Sequence, residues 1–136
     1  MKNKLLVITP VKHIENFEKK INKNFNSTYF PFISRKKLKK IINKFDYLFT
    51  NPNMSKVFID SEILFKSKIK AICTASTGVN HIDINYLKKN KIKLISLTKE
   101  KSLIKKLSST AELAFGMTLN SVRNIYLSSQ SVKKGN

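Results

Sequence analysis

The residues best suited to chemistry lie in two stretches, TASTGVNHID over 74–83 and SSTAELAFGM over 108–117. In the first, small polar side chains and Gly78 directly follow the apolar run IKAIC, 69–73. Such a turn lets backbone N–H groups approach a ligand closely and can form a nest for a small anion. A strand–turn–helix joint without a ligand has the same composition, so local chemistry leaves both readings open. In the second stretch, Ser109 and Glu112 stand at capping-box spacing. The Ser109 hydroxyl is expected to accept from the Glu112 N–H while the carboxylate accepts from the Ser109 N–H, which favours a structural Glu112 over an acid–base one. His81 reads as a hydrogen-bonded loop residue, because no second histidine or acid is placed to pair with it. His13 opens a surface helix and suggests no role. The one cysteine, Cys73, ends an apolar run and is expected to be buried and inert; alone it excludes an internal disulfide and any multi-cysteine metal site.

A scaffold must hold these residues, and the chain reads as alternating strands and helices. KLLVIT, 4–9, is a short apolar run stopped by Pro10, the pattern of a buried strand. Residues 13–24 carry Ile14, Phe17 and Ile21 at helical spacing among charges. STYFPF, 27–32, reads as a short edge strand, since Pro31 cannot donate to a ladder. Ser34 is expected to cap a helix through Phe45 with Leu38, Ile41 and Ile42 inward. DYLFTNPN, 46–53, is a buried strand ending in an Asn/Pro turn. A short helix from Asp60 or Ser61 follows, with Ile63, Leu64 and Phe65 as its apolar members. The strand 69–73 then leads into a helix capped by Asp83 and stopped by a left-handed Asn90. IKLIS, 92–96, is the last strand. A long helix runs from Ser109 to about Ser128, after which periodicity is lost. This alternation implies right-handed crossovers and a mainly parallel sheet. Ligands gather beyond the carboxyl ends of such strands, which is where TASTG sits.

At 136 residues the chain suits one domain with a real core, and 41% hydrophobic against 26% charged residues excludes a disordered composition. The net charge of +19 raises nucleic acid or an anionic membrane as a partner. Yet the charge is almost all lysine, spread along the chain with many Ile and Asn; the only arginines are Arg35 and Arg123. Phosphate and base readers lean on the bidentate arginine fork, so a solvated basic surface is expected and nucleic acid is not. A basic β/α module that binds nucleic acid or another polyanion is the alternative reading. A receiver-like signalling domain is excluded, because VITPVK and LFTNPN lack the acidic cluster and the strand-end aspartate it needs. The N-terminal MKNKLLVITPVKH is too brief in its apolar part for a signal peptide, and no run approaches the ~18 apolar residues of a membrane span. A cytoplasmic protein is the expectation.

Together, KAICTASTGVNHIDINYLKKNKIKLISL and STAELAFGMTLNSVRNI resemble the NAD-dependent D-isomer-specific 2-hydroxyacid dehydrogenases, the phosphoglycerate dehydrogenase-like family. The family pattern is a small-residue turn with G-V-D-N-I-D, a helix, a strand, then V-A-E opening a long helix that ends in A-R-N-I. The resemblance spans residues 69–127; ahead of it only the β/α rhythm and the placing of TNPN agree. Three features depart from the pattern: TKEKSLIKKLSS replaces a shorter Pro/Gly loop, Asn80 replaces the usual Asp, and Leu113 stands where many members carry His.

The resemblance implies an α/β fold, a flavodoxin-like open parallel sheet with flanking helices, ending in a long interdomain helix. It implies an incomplete substrate domain over 1–107, with 108–136 forming the interdomain helix and the start of a dinucleotide-binding domain. Ser76, Thr77 and Gly78 would offer N–H groups to the carboxylate of a small 2-hydroxy or 2-keto acid, with Thr77 and Thr110 beside the NAD cofactor. No metal is implied. Gly78, Gly116 and Gly135 form no G-x-G-x-x-G turn, and the family's catalytic Arg, Glu and His have no counterpart here; Arg123, inside the connecting helix, is not that arginine. The expectation is the N-terminal portion of such an oxidoreductase, truncated or split at the abrupt KKGN ending and inactive alone. A homodimer partner or a complementing downstream half would complete it.

Overall fold

In a computed structural model, which describes residues 2–52 and 55–135, five strands form one parallel sheet. They are β1 (Asn3–Val7), β2 (Phe25–Tyr29), β3 (Tyr47–Thr50), β4 (Ala71–Thr74) and β5 (Lys93–Ser96). Their order across the sheet is β2-β1-β3-β4-β5, with every pairing parallel. This is the flavodoxin-like order, which switches direction between β1 and β3. Its helices are α1 (Phe17–Asn22), α2 (Arg35–Ile41, continued by a 3-10 turn Ile42–Lys44), α3 (Ser61–Leu64) and α4 (Ile84–Lys89). A second 3-10 turn, Leu97–Lys99, precedes α5 (Lys101–Ile104), α6 (Ser109–Arg123) and α7 (Ile125–Lys133). The chain divides into two units, Met1–Glu100 and Lys101–Asn136.

Strand alternation gives the first unit a core on each face of the sheet. Leu6, Ile8, Leu48 and Ile72 face the larger one, where Leu38, Ile42, Ile63 and Leu87 meet them from the helices. Leu5, Val7 and Val11 face the smaller one, covered by Phe17, Ile21, Phe25, Tyr29, Tyr47 and Phe49. That second face is less complete toward β5. The row Phe49–Cys73–Ile95, in register across β3, β4 and β5, ends in an Ile95 that is 46% exposed. Cys73 is therefore half-buried rather than buried, and burial still pushes its thiol pKa up.

Side-chain caps begin the helices where short polar residues stand. Ser34 Oγ accepts from the Lys37 N–H at 3.3 Å, Asp60 Oδ1 from the Ile63 N–H at 3.1 Å, and Asp83 Oδ1 from the Tyr86 N–H at 2.9 Å. Arg35 adds a link that crosses 25 residues of sequence, donating to both carboxylate oxygens of Asp60 at 3.0 and 2.7 Å. Glu62 accepts from Lys39 at 2.6 Å and Arg35 at 2.7 Å, and these bonds hold its carboxyl pKa down at about 2. At the other end of the sheet, Asp46 Oδ2 accepts from the Lys4 N–H at 2.9 Å and its carbonyl from the Lys70 N–H at 2.8 Å, aligning the starts of β1, β3 and β4.

Several boundaries differ from those the sequence suggests. The helix expected over 13–24 shrinks to α1, because Asn16 takes a left-handed φ of 58° and leaves Ile14 exposed. β2 is the expected edge strand but starts two residues earlier and ends three earlier; the Phe30 N–H makes the last bond, to Val7 O at 2.8 Å, before Pro31 has none to give. Phe65 is 68% exposed, since α3 stops at Leu64 and the chain turns outward. Past α4 the left-handed residue is Lys91, φ 56°, while Asn90 caps with its side-chain amide on Tyr86 O at 2.9 Å. The Asn/Pro turn after β3 runs into residues 53 and 54, which lie outside the described residues.

In the second unit the single long helix is absent. Asn124 at φ 49°, ψ 37° breaks it into α6 and α7, and the helical path continues to Lys133 instead of lapsing at Ser128. The capping box is not formed. Ser108, not Ser109, precedes the first turn, and its hydroxyl donates to the Glu112 carboxylate instead of accepting from the backbone. No residue of α6 or α7 is buried.

Candidate functional site

The carboxyl edge of the two central strands is a polar floor. Thr50 and Thr74, the last residues of β3 and β4, are both buried. The Thr74 hydroxyl donates to Asn51 Oδ1 at 3.1 Å and the Thr50 hydroxyl to Asn51 O at 3.1 Å, so Asn51 ties the strand ends together. The TNPN stretch reads in the sequence as a turn placed as in the family pattern; its first asparagine supplies this link.

Above that floor, Ser76 is half-buried while Thr77 and Gly78 are exposed. The turn is anchored through its carbonyls. Leu97 N–H donates to Ser76 O at 3.3 Å, and the Thr98 hydroxyl donates to Thr77 O at 2.9 Å. The Gly78 N–H donates to Ser76 Oγ at 3.1 Å, inside the turn itself. Gly78 takes no left-handed φ; a Cβ there would stand 3.3 Å from Oδ1 of the exposed Asn80 side chain and 3.9 Å from Ser76 Oγ. Thr98, which sequence reasoning missed, lies inside TKEKSLIKKLSS, a segment that reads only as an insertion.

Beyond Gly78 the loop is latched to the segment ahead of α3. Ile59 and Ile82 form a parallel bridge in which the Ile59 N–H donates to His81 O and the Asp83 N–H donates to Ile59 O, both at 2.9 Å. His81 is not the hydrogen-bonded loop residue expected. Both ring nitrogens are buried without a hydrogen-bond partner among the described residues, and burial pushes its pKa below the usual 6.5. The same ring lines an open pocket of about 340 Å³ with Pro52, Lys56, Val57, Phe58 and Asn80.

Ser76, Thr77 and Gly78 thus come together in one turn at the carboxyl edge of β4. Thr110 belongs to the second unit, exposed in the first turn of α6. Among the described residues no group of three His, Cys, Asp or Glu side chains could hold a metal, and no helix is long and apolar enough to cross a membrane.

A parallel sheet in the order 2-1-3-4-5 with flanking helices defines a flavodoxin-like α/β domain. Residues 5–130 match the catalytic domain of the D-isomer specific 2-hydroxyacid dehydrogenases, and the chain belongs to that family. No curated protein is significantly similar to it in sequence. Among solved structures it is similar to D-lactate dehydrogenase from Aquifex aeolicus complexed with NAD and lactic acid, at 25% identity and TM-score 0.78 over 98% of this chain. It is also similar to an acyclic imino acid reductase in complex with NADPH and D-Arg, at 22% identity and TM-score 0.81 over 98% of this chain. A Pyrococcus horikoshii OT3 protein aligns at 23% identity and TM-score 0.74 over 99% of this chain. The chain spans only 38–41% of the length of these three structures.

Proposed function

We propose that this chain is the carboxylate-binding part of an NAD-dependent D-2-hydroxyacid dehydrogenase, with residues 1–107 in the substrate domain and 108–136 leading into a dinucleotide-binding domain. The observation that carries the proposal is the exposed Thr77, at the carboxyl edge of a parallel sheet, in a turn anchored through its carbonyls. An anion placed there meets backbone donors held in position before it arrives, which is what makes such a turn bind. Thr77 is the leading donor, because the Gly78 N–H must first release Ser76 Oγ. In the complete enzyme Ser76, Thr77 and Gly78 hold the carboxylate of a 2-hydroxy or 2-keto acid, with Thr77 beside the cofactor.

The residues present do not fit the cofactor itself. A dinucleotide pyrophosphate needs a glycine-rich turn at a helix N-terminus, and Gly78, Gly116 and Gly135 offer none. Hydride transfer also needs an acid–base group beside the substrate hydroxyl, and the ring nitrogens of His81 are buried here. The chain alone therefore binds substrate without turnover. It works in the cytoplasm, completed by a homodimer partner or by a complementing downstream half. The test is to join it to the dinucleotide-binding domain of the Aquifex aeolicus enzyme and follow pyruvate reduction by NADH. Gly78→Leu is expected to raise KM at least about tenfold with little change in kcat, because the turn can no longer approach the carboxylate. A joined enzyme whose KM ignores Gly78→Leu overturns the proposal.

A further inference from the structure

We infer that Thr98, seated on Ser96, is a positioning residue that aims the Thr77 N–H at the substrate carboxylate; the inference rests on the carboxylate reading of the turn. A peptide group is planar and trans, so the carbonyl of one residue and the N–H of the next point in opposite directions. Leu97 draws Ser76 O toward the end of β5 at 3.3 Å, which turns the Thr77 N–H away from β5. The Thr98 hydroxyl draws Thr77 O the same way at 2.9 Å, which turns the Gly78 N–H back onto Ser76 Oγ at 3.1 Å. Two consecutive peptide planes are thereby fixed from one side. The Thr98 hydroxyl has a single proton to give, and the Ser96 hydroxyl, donating to Thr98 Oγ1 at 3.2 Å, leaves that proton for Thr77 O. The Thr77 N–H itself meets no acceptor among the described residues. Thr77 is an exposed residue and its peptide planes are held by the clamp, the state a pre-organised anion donor requires.

Every member of this clamp lies in the first unit, so the 136-residue chain already contains it. Thr98 is exposed, so losing its hydroxyl leaves no buried polar group unpaired and the fold persists. Thr98→Val removes the donor at nearly constant shape, and Thr98→Ser restores it. The experiment records amide spectra of the 15N-labelled chain and both variants during titration with sodium pyruvate, against sodium chloride at equal ionic strength. The chloride series removes the general attraction of a +19 chain for anions. Pyruvate is expected to shift the Thr77 amide in wild type and Thr98→Ser, and to do so with about tenfold weaker apparent affinity in Thr98→Val, the 1.4 kcal/mol that one net hydrogen bond can carry. Equal affinity in wild type and Thr98→Val overturns the inference alone. Absence of any pyruvate-specific shift in wild type overturns the carboxylate reading. The orienting role is then decided without ligand, by the Gly78 amide nitrogen, which senses the bond to Thr77 O: a shift in Thr98→Val that Thr98→Ser lacks upholds it, and identical shifts end it.

Discussion

Replacing His81 with leucine should stabilise the protein, against the usual sign for a substitution in a folded loop. Both imidazole nitrogens are buried with no partner among the described residues, although one of them must carry a proton and the other a lone pair. Leaving one buried polar group unsatisfied costs about 1–3 kcal/mol. Leucine removes both and keeps an apolar body beside Val57 and Phe58. Leucine does not reproduce all the packing of the flat ring, so a net gain of about 1–2 kcal/mol is expected, or roughly 3–8 °C in Tm for a chain of this size. The pH dependence is a second signature. Burial lowers the folded pKa of His81 below 6.5, so the unfolded chain takes up the proton first. The stability this neutral imidazole allows is fully present above pH 6.5 and is lost as pH falls from there through the folded value. Urea unfolding followed by circular dichroism, above and well below pH 6.5, reads both effects. His81→Leu should be the more stable protein above that pH and should lose part of the acid-side slope. A less stable variant with an unchanged slope would refute the reasoning and return His81 to an ordinary hydrogen-bonded loop residue.

Lys91 sits at the left-handed position after α4, where glycine is favoured, so Lys91→Gly should add about 0.5–1 kcal/mol of stability; a lower Tm contradicts it. Lys39 first, then Arg35, holds the Glu62 carboxyl at about 2, below its ordinary 4.5. The stabilisation from this network is complete above pH 4.5 and disappears as pH falls toward about 2, and Glu62→Gln should flatten that limb of an acid titration. In the second unit Val122 and Val132 are 73% and 72% exposed, among ten large apolar residues left open between Leu107 and Val132. Sedimentation should therefore show concentration-dependent association that Leu113→Lys with Met117→Lys reduces; a monomer throughout the concentration range removes this expectation.

The parallel sheet is legible in the sequence because its central strands are short apolar runs closed by Pro10, Asn51 and the 75–78 turn. Helix starts are legible wherever a short polar side chain caps its own backbone three residues on, as at Ser34, Asp60 and Asp83. The same rule fails at Ser109, where the adjacent Ser108 takes the cap position and spends its hydroxyl on Glu112. It also fails at Asn124, since apolar periodicity continues through a residue whose backbone has left the helix. The place of the Ser76–Gly78 turn follows from the strand before it. Its clamp does not, because Thr98 reaches Thr77 O across 21 residues and carries no local pattern. His81 shows the opposite limit: sequence says a polar ring stands in a loop, and only the folded structure buries its nitrogens without a partner among the described residues.

The most direct measurement is a chemical-shift map of the wild-type chain with pyruvate and, separately, with NADH, each against chloride at equal ionic strength. Pyruvate should move the amides of Ser76, Thr77 and Gly78 and leave the other exposed turns in place, while NADH should produce no saturable shift. Saturable NADH binding, or pyruvate shifts scattered over the lysine-rich surface with the turn unmoved, would contradict a chain that carries the carboxylate site without the dinucleotide site.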